Sequence, residues 1–437
     1  MHILLFIFYM VVLCYAITRM SFFRNSRIRS GVLLGLFILR VATGCLHNLV
    51  AYRYYPHHGD IWTIFQESFI TRRELLTNFH SFLSDNSNWE YIQHNVIELV
   101  HVLFNLFSFD NLYINTLFFN FFVFWGSIAL FRFFMQVFRD DLLPSLTALL
   151  LPSTLFWTSC LHAEGFLYLA LGFLFFYLLR SRPITPGQIA AVLFFLLLAA
   201  FFRVAVVLPL LPALGIWLLA ERSSSRRQFW LILSASLAAI VIGVGLQPGL
   251  RHQLLFTLSE RQQQFQVLFG NSRLYLPLLR PDAGSLLHTL PPALLNGFFE
   301  PLPGTGGQRI YSLFSLELIG IWVIGLCAIG ARIIGARIPP SHAAPSNPQA
   351  PSPSGTHFGP AAILFALSGM LVIGLIVPFA GAIIRYRSIF LPFLLAPFLY
   401  MLRSKPIPAK INTWLKHILL SRLQAGTPSH RSKTPKN

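Results

Sequence analysis

The sequence predicts an all-α polytopic integral membrane protein with about eleven transmembrane helices. Two observations support this class. The 437 residues are 55% hydrophobic and only 11% charged, whereas a soluble domain carries roughly 25% charged residues. The apolar stretches are long and continuous rather than alternating. This favours helices over a β-barrel, since backbone polar groups in lipid must be satisfied within each segment.

The basic residues give the predicted orientation of the spans. Arginines from Arg19 to Arg29 directly follow the first apolar stretch, so the positive-inside rule predicts an N-terminus outside and a C-terminus in the cytoplasm. The N-terminus has no basic n-region and no small-residue cleavage site, which predicts a retained first helix. The expected spans are 2–18, 31–51, 111–134, 142–160, 165–180, 187–202, 204–220, 229–247, 311–331, 359–381 and 387–402.

Two long segments, 52–110 and 248–310, are expected on the extracytoplasmic face. Long segments translocate largely regardless of their charge, so their own arginines do not oppose this placement. In the first segment, the apolar stretch near 96–108 is too short to span a bilayer. In the second, the Pro-rich stretch 286–303 is predicted to be a re-entrant or interfacial piece.

The C-terminal third contains two stretches that lack the composition of a span. A polytopic membrane domain is expected over residues 1–402, interrupted at 338–358 by a flexible cytoplasmic linker rich in Pro, Ser and Ala. Residues 403–437 are expected to be cytoplasmic and to end in a disordered tail. At 407–424 apolar residues share one helical face with lysines around it, which predicts a basic amphipathic helix on the anionic inner leaflet.

The net charge of +18 does not indicate a nucleic-acid partner. Lys and Arg cluster in short loops and in the tail, as the positive-inside rule predicts, rather than forming a binding face. The four cysteines lie in apolar segments without metal-ligand or CxxC spacing. We interpret them as small buried hydrophobic residues.

Carboxylates are scarce, and their placement is therefore informative. The chain has only fifteen Asp and Glu residues, and most of them fall in the segments predicted to lie outside. Because acidic residues have little influence on topology, this asymmetry predicts acid–base or metal chemistry at the outer surface. The alternative is that long segments simply hold more polar residues.

The sharpest local pattern is Tyr-Tyr-Pro-His-His-Gly-Asp at 54–60, just after the second predicted span. Asp60, held at the membrane surface beside His57 and His58, is a candidate general base or a ligand of a divalent cation. Adjacent histidines do not share a helical face, which weakens the metal hypothesis. The alternative is an interfacial polar loop with an aromatic belt.

A second pattern runs from Pro152 to a tight outer turn that carries His162 and Glu164. A helix kinked at this proline ends at the outer surface and presents an imidazole and a carboxylate at a tight turn. We expect this turn to line a cavity that faces Asp60. The alternative is a helical hairpin capped by polar residues.

The third group is basic: Arg203 between two predicted spans, and the Arg385-Tyr386-Arg387 turn. Positive charge on the outer side runs against the positive-inside trend, and guanidinium groups bind phosphate in a bidentate manner. These residues are candidate ligands of a lipid-linked phosphate, or they pair with protein carboxylates or lipid headgroups. Arg40, in the middle of a span, is expected to face the bundle interior.

The arrangement of many helices, two long outer segments, an outer acid and outer arginines resembles the GT-C glycosyltransferases over roughly residues 31–402. The run PSTLFWTS…HAEG at 152–165 also looks like segments in bacterial proteins of this kind. The resemblance implies that Asp60 is the catalytic or metal-binding acid, and that Arg385 and Arg387 bind the carrier phosphate. In many family members the acidic segment follows the first helix, whereas here it follows the second.

The resemblance implies transfer of a hexosyl or pentosyl group from a polyprenyl-phosphate carrier to a glycan, lipid or protein acceptor, at the outer face of the bacterial inner membrane. Asp60 or Glu164 would deprotonate the acceptor, with a divalent cation as a candidate cofactor. The substrate contacts would be His57, His58, His162, Arg203, Arg385, Tyr386 and Arg387. Alternatives are a polymerase or ligase of lipid-linked glycans, a transporter or flippase, and a non-catalytic scaffold; a transporter is expected to show repeated halves.

Overall fold

The computed structural model describes residues 1–55, 59–80, 92–179, 185–221, 226–270, 272–304, 309–337 and 354–420. Within these ranges every regular element is a helix, accompanied by two isolated β-bridges. The predicted all-α membrane fold is confirmed at this level. Histidines 57 and 58, most of the predicted linker and the tail after 420 lie outside the described residues.

The helices of the first half are α1 His2–Arg19, α2 Ser21–Arg24, α3 Ser30–Tyr54, α4 Gly59–Thr77, α5 Ile92–Ser108, α6 Leu112–Val137, α7 Leu142–Ser145, α8 Thr147–Leu150, α9 Pro152–Thr158 and α10 Ala163–Leu178. Those of the second half are α11 Pro186–Ala220, α12 Arg226–Leu246, α13 Pro248–Gln266, α14 Ala283–Phe298, α15 Arg309–Arg337, α16 Ser354–Ile376, α17 Ala380–Arg387, α18 Leu391–Leu402 and α19 Pro406–Leu419.

Fewer candidate spans pass on length and composition than the sequence predicts. Among the described residues, six helices are long and apolar enough to cross a membrane, or seven if α17 and α18, bent by 58°, form one broken span. The predicted eleven are not confirmed, because apolar stretches such as 142–158 and α10 are too short to pass as full spans. Helix α16 also begins inside the predicted linker, at Ser354.

The centre of the bundle depends on close approach of α6 and α10. A Cβ added to Gly172 of α10 would lie 2.0 Å from the Gly126 carbonyl oxygen of α6, and one added to Gly126 would lie 2.4 Å from the Leu169 Cα. Backbones this close leave room only for glycine, as in other helix pairs packed in membranes through small residues. This contact positions the turn that precedes α10.

Helix α11 turns back on itself at Arg203, whose backbone is not helical (φ −154°, ψ 87°). In its first half, Phe195 stacks on a tyrosine in the last turn of α10, at 6.0 Å. In its second half, Trp217 packs against Phe133 at 6.0 Å, and Phe133 lies 5.0 Å from Phe175 of α10. A straight helix would separate Phe195 and Trp217 by about 33 Å, so both halves return to the same end of α10. The bend lies at the predicted turn.

Two buried arginines hold helices together. Arg40 of α3, which is 2% exposed, donates to Ser127 Oγ at 3.2 Å and to the Thr158 carbonyl and hydroxyl oxygens at 2.7 Å. It faces the bundle interior, as predicted. Arg387 of α17 is 1% exposed and donates to the Glu300 carbonyl oxygen at 2.7 Å.

The amphipathic helix predicted at 407–424 is present as α19. Asn412 Oδ1 accepts from the Leu142 backbone N–H at 3.0 Å, and Arg29 donates to the His417 carbonyl oxygen at 2.7 Å. Its apolar face is open, with Trp414 63% exposed. Its position on a lipid surface stays a prediction.

Replacement of Gly172 by alanine tests the α6–α10 contact. The added methyl group has no space against the α6 backbone, so Gly172→Ala is expected to destabilise the protein by about 1–3 kcal/mol. The matched control is Gly215→Ala in α11, where no atom lies within 4 Å of the added Cβ; alanine there should be neutral or stabilising by up to about 1 kcal/mol. Denaturant unfolding in detergent measures both, and equal effects would contradict the packing argument.

Candidate functional site

Five side chains that are distant in sequence meet at one place, and we call them the ionic cluster: Asp60, His162, Glu164, Arg203 and Arg385. Asp60 lies in the first turn of α4. His162 is the N-cap of α10, and Glu164 lies in its first turn. Arg203 occupies the bend of α11, and Arg385 lies in the last turn of α17.

Arg385 is the centre of the ionic cluster. Its Nη1 lies 3.3 Å from Asp60 Oδ2, and its Nε lies 3.0 Å from Glu164 Oε2. Its Nη2 lies 2.6 Å from the His162 ring nitrogens. One guanidinium group thereby joins the first turn of α4 to the turn that precedes α10.

Glu164 is the partner of both arginines. Its Oε1 accepts from Arg203 Nη2 at 3.0 Å, while Oε2 faces Arg385. The Glu164 side chain is 1% exposed, compared with 14% for Arg385 and 27% for Arg203. The arginines therefore have protein carboxylates as partners, which is the alternative left open by the sequence. Glu164, enclosed by two cations, is placed to hold the arginines.

Asp60 is the open side of the cluster, with 69% of its side chain exposed. The His162 ring, 3.6 Å away, and the Arg385 guanidinium hold the pKa of Asp60 well below its usual range, against the opposing effect of partial burial. His162 Nδ1 lies 2.9 Å from the Ala163 backbone nitrogen and 2.9 Å from Glu164 Oε2. The Asp60 carboxylate is ionised and in contact with solvent.

The bend at Arg203 is held by a residue that the sequence did not single out. Gln93 Nε2 of α5 donates to the Phe201 carbonyl oxygen at 2.6 Å. A break in a helix frees carbonyl groups that need donors in a membrane, and Gln93 supplies one. The Tyr386 ring stacks against the guanidinium group of Arg203, with its centroid 4.5 Å from Arg203 Cζ.

A cavity of about 380 Å³ opens beside the ionic cluster. Glu164, Arg203 and Tyr386 line it together with apolar side chains from α10, α11, α13, α16 and the chain after α17. The apolar lining residues include Leu167, Phe202, Leu258, Phe265, Ile373 and Phe390. The cavity is therefore amphipathic, and it suits a ligand with a charged group joined to a hydrocarbon.

Arg387 does not join the ionic cluster, although the sequence places it beside Arg385. Residues two apart on a helix do not face the same way. Arg387 points to the C-terminal end of α14, where it donates to the carbonyl oxygens of Gly297, at 3.3 Å, and Glu300, at 2.7 Å. These hydrogen bonds attach the C-terminal end of α14 to α17. The structure thus brings together Asp60, His162, Glu164, Arg203, Arg385 and Tyr386 of the predicted site residues; His57 and His58 lie outside the described residues.

A buried histidine near the cluster was missed. His47 of α3 is 3% exposed, and its ring lies 4.7 Å from Phe156 and 5.2 Å from Trp157. Neither ring nitrogen has a hydrogen-bond partner within the described part of the chain. Its position within an apolar helix was the available signal.

The ionic cluster offers few ligands to a metal ion. Both oxygens of Glu164 face guanidinium groups, and Oδ2 of Asp60 faces Arg385. A divalent cation at this place would meet positive charge on two sides. A divalent cation, which the sequence suggested as a candidate cofactor beside Asp60, therefore does not fit within the ionic cluster.

Comparison with known proteins gives no relative: no family model, no curated protein and no solved structure matches this chain. The class defined by the fold and the site is an all-α membrane protein that carries an ionic cluster beside an amphipathic cavity.

Removal of the Glu164 charge tests the cluster. Glu164→Gln leaves two largely buried guanidinium groups without their shared carboxylate, so a loss of about 3–5 kcal/mol in unfolding free energy is expected. The exposed Glu260 of α13 provides the control Glu260→Gln, which should change stability little. A double variant with Arg203→Gln should recover part of the loss. Equal unfolding midpoints for Glu164→Gln and the control would contradict the assignment.

The pH dependence of stability tests the Asp60 contacts. Since the folded pKa of Asp60 is depressed, its contribution is fully present above the unfolded value of about 3.9 and is lost as pH falls through the folded value. The stability difference between the wild type and Asp60→Asn, from unfolding midpoints across pH, should therefore shrink below about pH 4. A difference that grows on acidification would show that Asp60 is not stabilised as a carboxylate.

Proposed function

We propose that this chain is a membrane glycosyltransferase of GT-C-like architecture. It moves a hexosyl or pentosyl group from a polyprenyl-phosphate carrier to an acceptor on the extracytoplasmic face of a bacterial inner membrane. The observation that carries the proposal is that Glu164 and Arg203 of the ionic cluster line a cavity whose other walls are largely apolar. A polyprenyl phosphate has the same two-part chemistry, with an anionic head on a hydrocarbon tail.

The guanidinium groups retain capacity for a phosphate. Arginine has five N–H donors, and Arg203 Nε is buried without a hydrogen-bond partner in the described part of the chain. An unpaired buried donor is costly, so a phosphate oxygen that accepts from it is favoured. Glu164 keeps both guanidinium groups in place before a ligand binds, and this prepositioning lowers the cost of binding.

In the proposed reaction, the bond between the sugar anomeric carbon and the carrier phosphate breaks as the acceptor oxygen attacks that carbon. Arg203 and Arg385 stabilise the negative charge that develops on the departing phosphate. Asp60 takes the proton of the acceptor hydroxyl and returns it to water, which its exposed side chain contacts. Glu164, one of the two candidate bases in the sequence, is assigned the positioning of the arginines instead.

A lipid transporter or flippase is the second candidate, and the bent pair α17–α18 with the bend at Arg203 favours it. Broken helices that present charged groups inside the membrane occur in transporters. The two functions differ in their products. A transferase cleaves the bond between sugar and phosphate, whereas a flippase returns the intact lipid on the other side of the bilayer.

The proposal is tested by binding and transfer with purified protein. Arg203→Gln should weaken the binding of polyprenyl phosphate about 10- to 100-fold, the equivalent of about 1.5–3 kcal/mol for a hydrogen bond to a charged group. The exposed Arg251→Gln serves as the matched control, and the corresponding polyprenol reports the tail alone. Asp60→Asn should bind normally but transfer sugar from polyprenyl-phosphate hexose or pentose about 10²- to 10⁴-fold more slowly.

Three results would count against this function. Equal binding by Arg203→Gln and Arg251→Gln removes the phosphate site, provided that both variants keep the wild-type unfolding midpoint. Undiminished transfer by Asp60→Asn removes Asp60 from the mechanism. Movement of intact sugar-lipid across proteoliposome membranes without cleavage favours the flippase.

A further inference from the structure

The helical pair α4–α5 carries a second group of polar side chains, separate from the ionic cluster. Glu67 and Thr71 lie four residues apart on α4, and His94 and Glu98 lie four residues apart on α5. Residues at this spacing share one helical face. The two faces meet, because Glu67 contacts His94 and Thr71 contacts Glu98.

The possible ligand atoms of this group converge. One ligand atom from each of Glu67, His94 and Glu98 lies within 4.8 Å of the other two. Glu67 Oε2 is 2.7 Å from His94 Nε2, and both of these side chains are about two-fifths exposed, at 43% and 40%. Glu98 is only 7% exposed and accepts a hydrogen bond from the Thr71 hydroxyl. Solvent therefore reaches the group on the side of Glu67 and His94, while Glu98 closes it on the buried side.

The charge of the group is unbalanced. In the part of the chain that the structure describes, no lysine or arginine forms an ion pair with Glu67 or Glu98; Arg72 of α4 instead donates to Asp110 at 2.8 Å. Burial raises the pKa of Glu98, and the Glu67 carboxylate adds to this increase, while Thr71 and His94 oppose it. Two carboxylates around one imidazole are a combination that a divalent cation stabilises.

We propose that Glu67, His94 and Glu98 bind a divalent transition-metal ion that clamps α4 to α5. One imidazole nitrogen and two carboxylate oxygens suit Zn²⁺ or Mn²⁺, whereas Mg²⁺ and Ca²⁺ prefer oxygen ligands alone. Three protein ligands leave a further position for water. The Thr71 hydroxyl remains as a hydrogen-bond partner that orients the Glu98 carboxylate.

The clamp has a consequence for the rest of the protein. Helix α4 begins one residue before Asp60, and helix α5 carries Gln93, which holds the bend at Arg203. Fixing α4 against α5 therefore fixes two supports of the ionic cluster relative to each other. The metal site itself stands on its own geometry and does not depend on the reaction proposed for the ionic cluster.

Zinc binding to the full chain tests the proposal. Protein purified in detergent, freed of any affinity tag and treated with a chelator, is titrated with Zn²⁺ in a calorimeter, and bound metal is counted by mass spectrometry. The expected result is one Zn²⁺ per chain, with a higher unfolding temperature at saturation. Mg²⁺ should bind at least about tenfold more weakly.

Near-isosteric and deletion variants locate the ion. Glu67→Gln and His94→Ala should each weaken Zn²⁺ binding at least about tenfold, while the exposed α13 variants Glu260→Gln and His252→Ala should not change it. Glu67→Gln keeps the shape of the side chain, so a folding defect in His94→Ala leaves the test intact. Absence of saturable Zn²⁺ binding, or equal affinity in Glu67→Gln and Glu260→Gln, would overturn the proposal.

Discussion

The structure depends on the placement of one guanidinium group, that of Arg385, between two carboxylates that come from distant parts of the chain. Asp60 and Arg385 are separated by 325 residues, and Glu164 lies in a third element. A cation buried in a membrane protein needs partners, since an uncompensated charge in such a setting is expensive. The ion pairs that Arg385 of α17 forms with Asp60 of α4 and Glu164 of α10 are the means by which this chain satisfies that requirement.

The same requirement shapes the cavity. Glu164 also binds Arg203, so the bend of α11 must lie beside the first turn of α10. The glycine contact between α6 and α10 brings that turn into place, and Gln93 supplies the donor that the bent backbone needs. The Glu164–Arg203 ion pair, the glycine contact and the Gln93 hydrogen bond thus place the charged wall of the cavity beside its apolar walls. A cavity with both kinds of wall supports the proposal of a phosphorylated lipid as the ligand.

The sequence predicted the members of the cluster better than it predicted the number of spans. Scarce acids and arginines at predicted turns were informative because a charged group in an apolar chain is costly in lipid and needs a partner or a function. Arg387 was grouped with Arg385 by adjacency, whereas helical geometry turns it toward α14. The eleven predicted spans are not confirmed, since short apolar helices resemble spans in composition alone. The Glu67–His94 pair was missed because its members face each other across two helices, and each helix alone shows only an ordinary polar face.

A structure determined with polyprenyl phosphate added shows directly whether the ionic cluster and the cavity bind a phosphorylated lipid. The phosphate is expected within hydrogen-bond distance of Arg203 and Arg385, with the hydrocarbon chain in the cavity lined by Phe202 and Phe390. A phosphate at any other place, or a lipid bound with its tail against the ionic cluster, would contradict the proposal.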